Sequence, residues 1–340
     1  MMRRKAFILA EILTGLMIQA WFIVTLCGAF YLLLTFSSRI QQSNAAQDHG
    51  QRVIAYVDAR IRNAGLGLWG CGEAKKLAGT YLPSLSRLEN LHLPVAITSR
   101  DEDDFDPYAV PADGIYSGDV LTLLYAHRDL NYINNNKLVI SLDNGQQSQD
   151  ITSSTSTEFT LIEGATDGRK TFNDSAFRKD TEQDKANIKN YAVLESSGIP
   201  MYLSTGSTKS IKITNPSSVS SLRIYNMSEL LNLECERMYT AVSKGQRSLM
   251  IKKLGYKSGC VWNNPLPHTG GVLEIFMTLD INQNPPVFDL KVLVNEGKSD
   301  TPTPKPSNWP RRYWKTEYAK YKVHVSQASW RLPNLSRITY

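Results

Sequence analysis

The chain has 340 residues, of which 42% are hydrophobic and 21% charged, and it carries a formal net charge of +6. That composition excludes wholesale disorder and collagen-like repeats and leaves enough apolar residues for a core. Arg3, Arg4 and Lys5 at the extreme N-terminus account for three of the six net charges, which leaves +3 for everything else. A general polyanion-binding surface does not follow from so small an excess; only a local patch supports one.

The apolar residues are unevenly spread. Residues 7–36 hold 23 members of the set AVILMFWYC in 30 positions, with no Lys or Arg between Ala6 and Ser38. As a helix this run is about 45 Å long, against a bilayer core of about 30 Å. Arg3, Arg4 and Lys5 are expected to stay on the cytoplasmic side and send the C-terminal body across. The run outlasts the apolar region of a secretory signal peptide and has no small-residue cleavage site followed by polar sequence. Cys27 within it reads as a small hydrophobe. Glu11 is its one charge, and a carboxylate in hydrocarbon costs a few kcal/mol, so it needs a reason that a plain signal anchor does not supply.

The order Arg3-Arg4-Lys5, Ala6, Phe7 and, four residues later, Glu11 resembles the type IV prepilin family. The resemblance implies cleavage between Ala6 and Phe7 by a prepilin peptidase on the cytoplasmic face, with N-methylation of Phe7. It also implies that the apolar run stays on the mature protein, first as an anchor in the inner membrane and then as the core helix of a filament. The amine of Phe7 is a cation among apolar helices, and Glu11 of one subunit neutralises the amine of a neighbour, so the pair sets axial register. Ala6 departs from the Gly usual at that position and is expected to slow processing.

Beyond Ser37 the helical pattern continues. Val53, Val57, Ile61 and Ala64 recur on one face, while Arg52, Asp58, Arg60 and Arg62 point elsewhere. Gly50 is a mild weakness in this stretch. The expected architecture is α+β: a leader (1–6), a transmembrane half-helix (7–36), an amphipathic half (37–64) and a β-rich extracytoplasmic body (65–340), the amphipathic half lying against a mainly antiparallel sheet in a pilin-like fold. Gly65, Gly67 and Gly70 match the spacing GxGxxG, but a helix precedes them where a dinucleotide site needs a strand, so Gly65 reads as a helix stop.

Cys71, Cys235 and Cys260 lie in the polar part with no zinc-like spacing, and three cysteines in an exported domain imply one disulfide and one odd thiol. The segment Arg62, Ala64, Gly65, Trp69, Gly70 and Cys71, together with the run Leu231–Val242 around Cys235, is similar to the PilW-type minor pilins. That similarity implies a Cys71–Cys235 bridge; a Cys235–Cys260 staple across a hairpin is the rival.

Strands are expected at Asp119–Ala126, Lys137–Leu142, Tyr191–Glu195, Val219–Tyr225, Leu231–Val242, Ser248–Leu254, Val272–Ile281, Asp289–Val294 and Tyr318–Trp330, with a hairpin at Lys244-Gly245-Gln246. Crossover helices are scarce, which favours antiparallel pairing. Gln146–Thr157 reads as a loop, Phe172–Asn187 as a short surface helix, and Asp300–Pro310, with four prolines, as an extended connector.

No catalytic constellation emerges: the five histidines are scattered, and HExxH, GxSxG and a Walker loop are absent. The expectation is a protein that is not an enzyme. Asp101, Asp103, Asp104 and Asp106 form an acidic run that reads as a solvated loop, with Ca²⁺ as the one cofactor to consider. Arg311, Arg312, Lys315, Lys320 and Lys322 interleave with aromatic rings, a pattern that serves polyanions or, more plainly, a half-buried strand with a basic outer face.

The resemblance implies a minor pilin that works through partners: other minor and major pilins, the prepilin peptidase and the inner-membrane assembly platform. Its expected role is in a membrane priming complex for type IV pilus assembly, with a place at the pilus tip. Alternatives are a minor pseudopilin of type II secretion, a pilus-tip adhesin or DNA-capture module using the basic segment, and an unrelated anchored protein.

Overall fold

In this computed structural model, helix α1 runs without a break over Met2–Ile61, 60 residues, or about 90 Å. The structure describes residues 2–71, 81–82, 91, 93–98, 116–127, 138–142, 146–152, 156–163, 191–205, 210–214, 221–243, 245–254 and 266–336. Among the described residues fifteen strands follow α1: β1 (Val95–Thr98), β2 (Tyr116–His127), β3 (Leu138–Ser141), β4 (Ser148–Thr152), β5 (Ser156–Glu163), β6 (Tyr191–Leu194), β7 (Pro200–Thr205), β8 (Ser210–Thr214), β9 (Ser221–Tyr225), β10 (Leu230–Ser243), β11 (Gln246–Lys253), β12 (Leu266–Gly270), β13 (Val272–Asp280), β14 (Val287–Lys298) and β15 (Tyr321–Arg331). A short helix α2 covers Pro333–Ser336.

The strands form a ten-stranded sheet, a three-stranded sheet β13-β14-β15 and a two-stranded ribbon β4-β9. Every ladder is antiparallel, as the scarcity of crossover helices requires. The chain is therefore α+β. The β10–β11 hairpin turns at Gly245, whose φ of 77° suits a residue without a Cβ. Each expected strand is present with shifted ends, but Thr316–Lys320 is a 3₁₀ turn, so the last strand opens at Tyr321 rather than Tyr318. Gln146–Thr157 is corrected: it supplies β4 and the start of β5, because β9 and β8 satisfy its backbone groups and polarity does not prevent ladder pairing. The surface helix expected at Phe172–Asn187 lies outside the described residues.

The C-terminal half of α1 lies along β15 in the same direction. The Gln42 amide rests against Gly297, which pairs with Lys322. Gly50 packs on Ser326 and Val294, and Asp58 accepts a hydrogen bond from the Trp330 indole. Eight helix residues advance about 12 Å and four strand residues about 13 Å. The two rises match at two helix residues per strand residue, so the contacts stay in step over the whole docked half. Gly50 is the closest crossing: a Cβ there would collide with the Ser326 side chain. Its absence is what lets helix and sheet approach, so the mild weakness read from sequence is a packing requirement.

Val53, Val57, Ile61 and Ala64 are all buried, as their spacing predicts, in a core shared with Ile275, Val292, Val294 and Trp330 of the small sheet and Leu121, Leu123 and Met238 of the large one. A second core gathers Leu68 and Cys71 with Leu124, Val193, Leu233 and Cys235. Strand β10 separates the two, with Leu233 and Cys235 on one face and Glu236 and Met238 toward α1.

Candidate functional site

The most unusual surface of the molecule is the N-terminal half of α1. From Glu11 to Phe36 nearly every side chain is exposed, including Ile18, Trp21, Val24, Tyr31 and Leu34. An 18-residue window in this region reaches a mean hydropathy of 2.0 with none of it buried, so the helix is long and apolar enough to span a membrane. Apolar surface on this scale marks a lipid or protein contact. The threonine hydroxyls within it are satisfied locally: Thr14 donates to the Glu11 carbonyl at 3.0 Å and Thr35 to that of Tyr31 at 2.8 Å. Such back-bonding leaves these threonines no orphan hydroxyl in hydrocarbon. Glu11 sits exposed among these residues. Ala6 and Phe7 lie on the same helix, which begins at Met2, so the expected leader continues the helix.

The C-terminal half is fixed by charge as well as packing. Glu236, fully buried on β10, takes the Arg60 guanidinium of α1 at 2.8 Å and the Lys253 ammonium of β11 at 3.0 Å. Lys253 also reaches Glu234 at 3.3 Å, and the Tyr125 hydroxyl donates to Glu234 at 3.2 Å. Burial works against the Lys253 charge, yet Glu236 and Glu234 outweigh it and hold its pKa up at about 12. Burial, aided by Glu236, also pushes the Tyr56 phenol up to about 12. Arg60 covers the Tyr56 ring at 3.5 Å, and Tyr56 in turn meets His268 at 4.2 Å between ring centroids. Burial and the neighbouring Arg60 lower the His268 pKa. Asp58 and Arg60, expected to point away from the body, instead tie α1 to both sheets. The reason is reach: both are long or polar enough to find partners at the edge of the apolar stripe.

The glycine-rich segment after α1 is a clamp. Helix α1 ends at Ile61 and turns carry the chain to Gly65, which at φ 74° donates its N–H to the Leu124 carbonyl at 3.1 Å, while the Ala126 N–H returns to Leu66 at 3.0 Å. Gly70 donates to the Gly198 carbonyl at 3.1 Å, and the Trp69 indole donates to Glu195 at 3.2 Å. A Cβ at Gly70 would strike the Ser197 carbonyl, so the two backbones meet without room for a side chain. The sequence placed the helix stop at Gly65; the helix ends earlier, at Ile61, and Gly65 supplies the left-handed turn that follows.

The bridge implied between Cys71 and Cys235 is not made. Both cysteines are buried in one core, but Cys71 is a free thiol whose Sγ lies 3.5 Å from the Gly198 carbonyl. Burial pushes that thiol up to about 12, which keeps it protonated and able to donate. Cys260, and with it the rival pairing, lies outside the described residues.

The basic-aromatic segment is divided by the fold. Trp309, Tyr313 and Tyr318 are buried with Leu273 and Leu293, so these rings build a core and are not open for stacking. The Tyr313 hydroxyl donates at 2.7 Å to Asp119, itself buried and accepting the Met277 N–H at 2.8 Å. Lys315 lies 3.7 Å from Glu274 in an ion pair. Arg311 and Arg312 are exposed, and the Arg312 guanidinium donates to the Tyr313 hydroxyl at 2.9 Å, whereas Lys322 pairs with Gly297 and the Lys320 carbonyl accepts from Ser299. With Lys315 paired to Glu274, the five cations are not held alike.

Asp101, Asp103, Asp104 and Asp106 lie outside the described residues. Among the described residues no group of three His, Cys, Asp or Glu side chains could hold a metal ion. Sequence reading missed Glu236 and Asp119, the buried carboxylates that organise the docked half and the 309–318 segment. Asp119 carried a signal, since it opens the apolar run Val120–Ala126; Glu236 stands between Cys235 and Arg237 in a mixed run, where nothing local marks it as buried.

Comparison with protein-family models, with curated proteins and with solved structures finds no match to this chain. Fold and site define an α+β protein with one helix able to span a membrane and a body that clamps the other half of that helix.

Proposed function

We propose that the chain is a minor pilin of the type IV prepilin class, resembling the PilW type. It is held in the inner membrane by the apolar half of α1, with its body outside the cytoplasm, until it joins other minor pilins in a priming complex for pilus assembly. One observation carries the reading: a single continuous helix whose exposed apolar half bears one carboxylate, Glu11, and whose other half is docked on antiparallel sheet. In that arrangement assembly is non-covalent. Apolar helix halves pack together, and Glu11 of one subunit faces the N-terminal amine of the next, since neither charge is stable alone in an apolar bundle. A body of this size would crowd a repeating shaft, which favours a place at the pilus tip.

The test is the mature N-terminus in native membranes. Intact-mass and N-terminal analysis should find the chain starting at N-methylated Phe7, and Ala6→Glu should leave the precursor uncut. Glu11→Gln should be processed normally but recovered at least tenfold less in sheared pili. Wild-type protein that keeps Met1 overturns the proposal.

A further inference from the structure

Three segments meet where α1 leaves the body. Gln42 lies against Gly297; Gly297 pairs with Lys322 and Lys298 with Tyr321; and the Ser299 N–H donates to the Lys320 carbonyl at 2.9 Å. This end of the body therefore gathers Lys298, Lys320 and Lys322 beside Arg39, which stands one helical turn before Gln42. Arg39, Lys298 and Lys320 are exposed and Lys322 is half-buried. The acidic neighbours are Asp300, exposed, Glu296, half-buried with His324 3.8 Å away, and Glu317, one turn before Lys320 and paired with Arg247 at 2.7 Å. With Arg247 counted beside its partner, five cations meet three carboxylates on this rim.

Its distance from the apolar run is set by the helix. Phe36, the last aromatic residue of the exposed stretch, precedes Gln42 by six residues, or about 9 Å of rise. The polar headgroup layer on each side of a bilayer is about 5–8 Å deep. With Phe36 at the edge of the hydrocarbon, the helix places this rim at headgroup level.

We propose that Arg39, Lys298, Lys320 and Lys322 form a headgroup-binding rim that takes anionic phospholipids of the outer face of the bilayer while the subunit is membrane-resident. The apolar run holds the subunit in the bilayer; the rim fixes its rotation and tilt, so that the same face of the sheet is offered to partners. Transfer out of the bilayer breaks these contacts, which makes lipid charge a restraint on extraction. This inference rests on α1 being the membrane anchor and adds the lipid class that the body recognises.

The experiment uses the full chain in nanodiscs of phosphatidylcholine alone or mixed with phosphatidylglycerol, read by amide hydrogen exchange over residues 296–300 and 320–323. Exchange in these segments should slow about fivefold with phosphatidylglycerol, the population shift that one cation at an anionic surface supplies. High salt should abolish the difference, and so should Lys298→Glu with Lys320→Glu, two exposed positions whose exchange elsewhere in the body should not change. Equal exchange in both lipids, with the chain retained in the disc, overturns the rim and leaves the anchor reading standing. A chain that never enters either disc overturns the anchor reading. Protection by a single-stranded oligonucleotide with none from phosphatidylglycerol also overturns the proposal and assigns the rim to nucleic acid.

Discussion

The two halves of α1 share one backbone and have opposite relations to the rest of the molecule. From Glu11 to about Gln42 the helix touches little of the body, and its large apolar side chains stand free. From there to Ile61 it is locked onto the body by a two-to-one match of rises with β15, a close crossing at Gly50, a hydrogen bond from Trp330 to Asp58 and the Arg60–Glu236 ion pair. The same residue class therefore does different work in each half. An apolar residue in the docked half stabilises the fold; one in the free half stabilises the helix in hydrocarbon or against another helix.

Paired substitutions break that comparison most sharply. Ile61→Ala removes a fully buried side chain and should cost about 2–5 kcal/mol of unfolding free energy, read from denaturant midpoints of the full chain in detergent. Leu32→Ala, on the exposed side, should leave that midpoint within about 0.5 kcal/mol and show its effect in membrane partition. Equal losses at both sites would refute the division of the helix.

Arg60→Ala tests the electrostatic tie. Glu236 is fully buried and would keep only Lys253 as a cationic partner among the described contacts. The loss should be roughly 2 kcal/mol, below the 3–5 expected when a buried charge loses all its partners. Arg52→Ala, whose pair with Asp48 is exposed, should change stability by less than about 0.5 kcal/mol.

A smaller effect follows pH. Lys253 is held at about 12 when folded, against an ordinary 10.5. Its stabilising contribution is complete below 10.5 and lost as pH rises toward 12, because the folded state binds the proton more tightly. Since the side chain is 41% exposed, solvent screening limits the effect to on the order of 1 kcal/mol. The wild-type stability curve should fall through that window, and Lys253→Met should flatten it.

The strand set shows where sequence reading succeeds. Strands such as Tyr191–Leu194 and Val272–Asp280 are legible because apolar runs of that length have few other fates. Strands β4, β5 and β8 carry Ser, Thr, Gln and Lys, and exist because a neighbour takes up their backbone hydrogen bonds. That information is non-local. The basic segment shows the same limit: an interleaved pattern of cations and rings does not reveal that three rings are buried and that Lys315 pairs with Glu274.

The sequence by itself determined the long helix, its apolar and amphipathic halves, its end by Gly65 and the antiparallel character of the sheets. These follow from periodicity, composition and chain connectivity, all of which act over a few residues. Only the tertiary structure decided what Gly50, Asp58, Arg60 and Glu236 do, that Cys71 remains a thiol, and which lysines share an edge with Arg39. Each of those depends on residues far apart in the chain being brought within a few ångströms, and there geometry and burial decide which interaction forms.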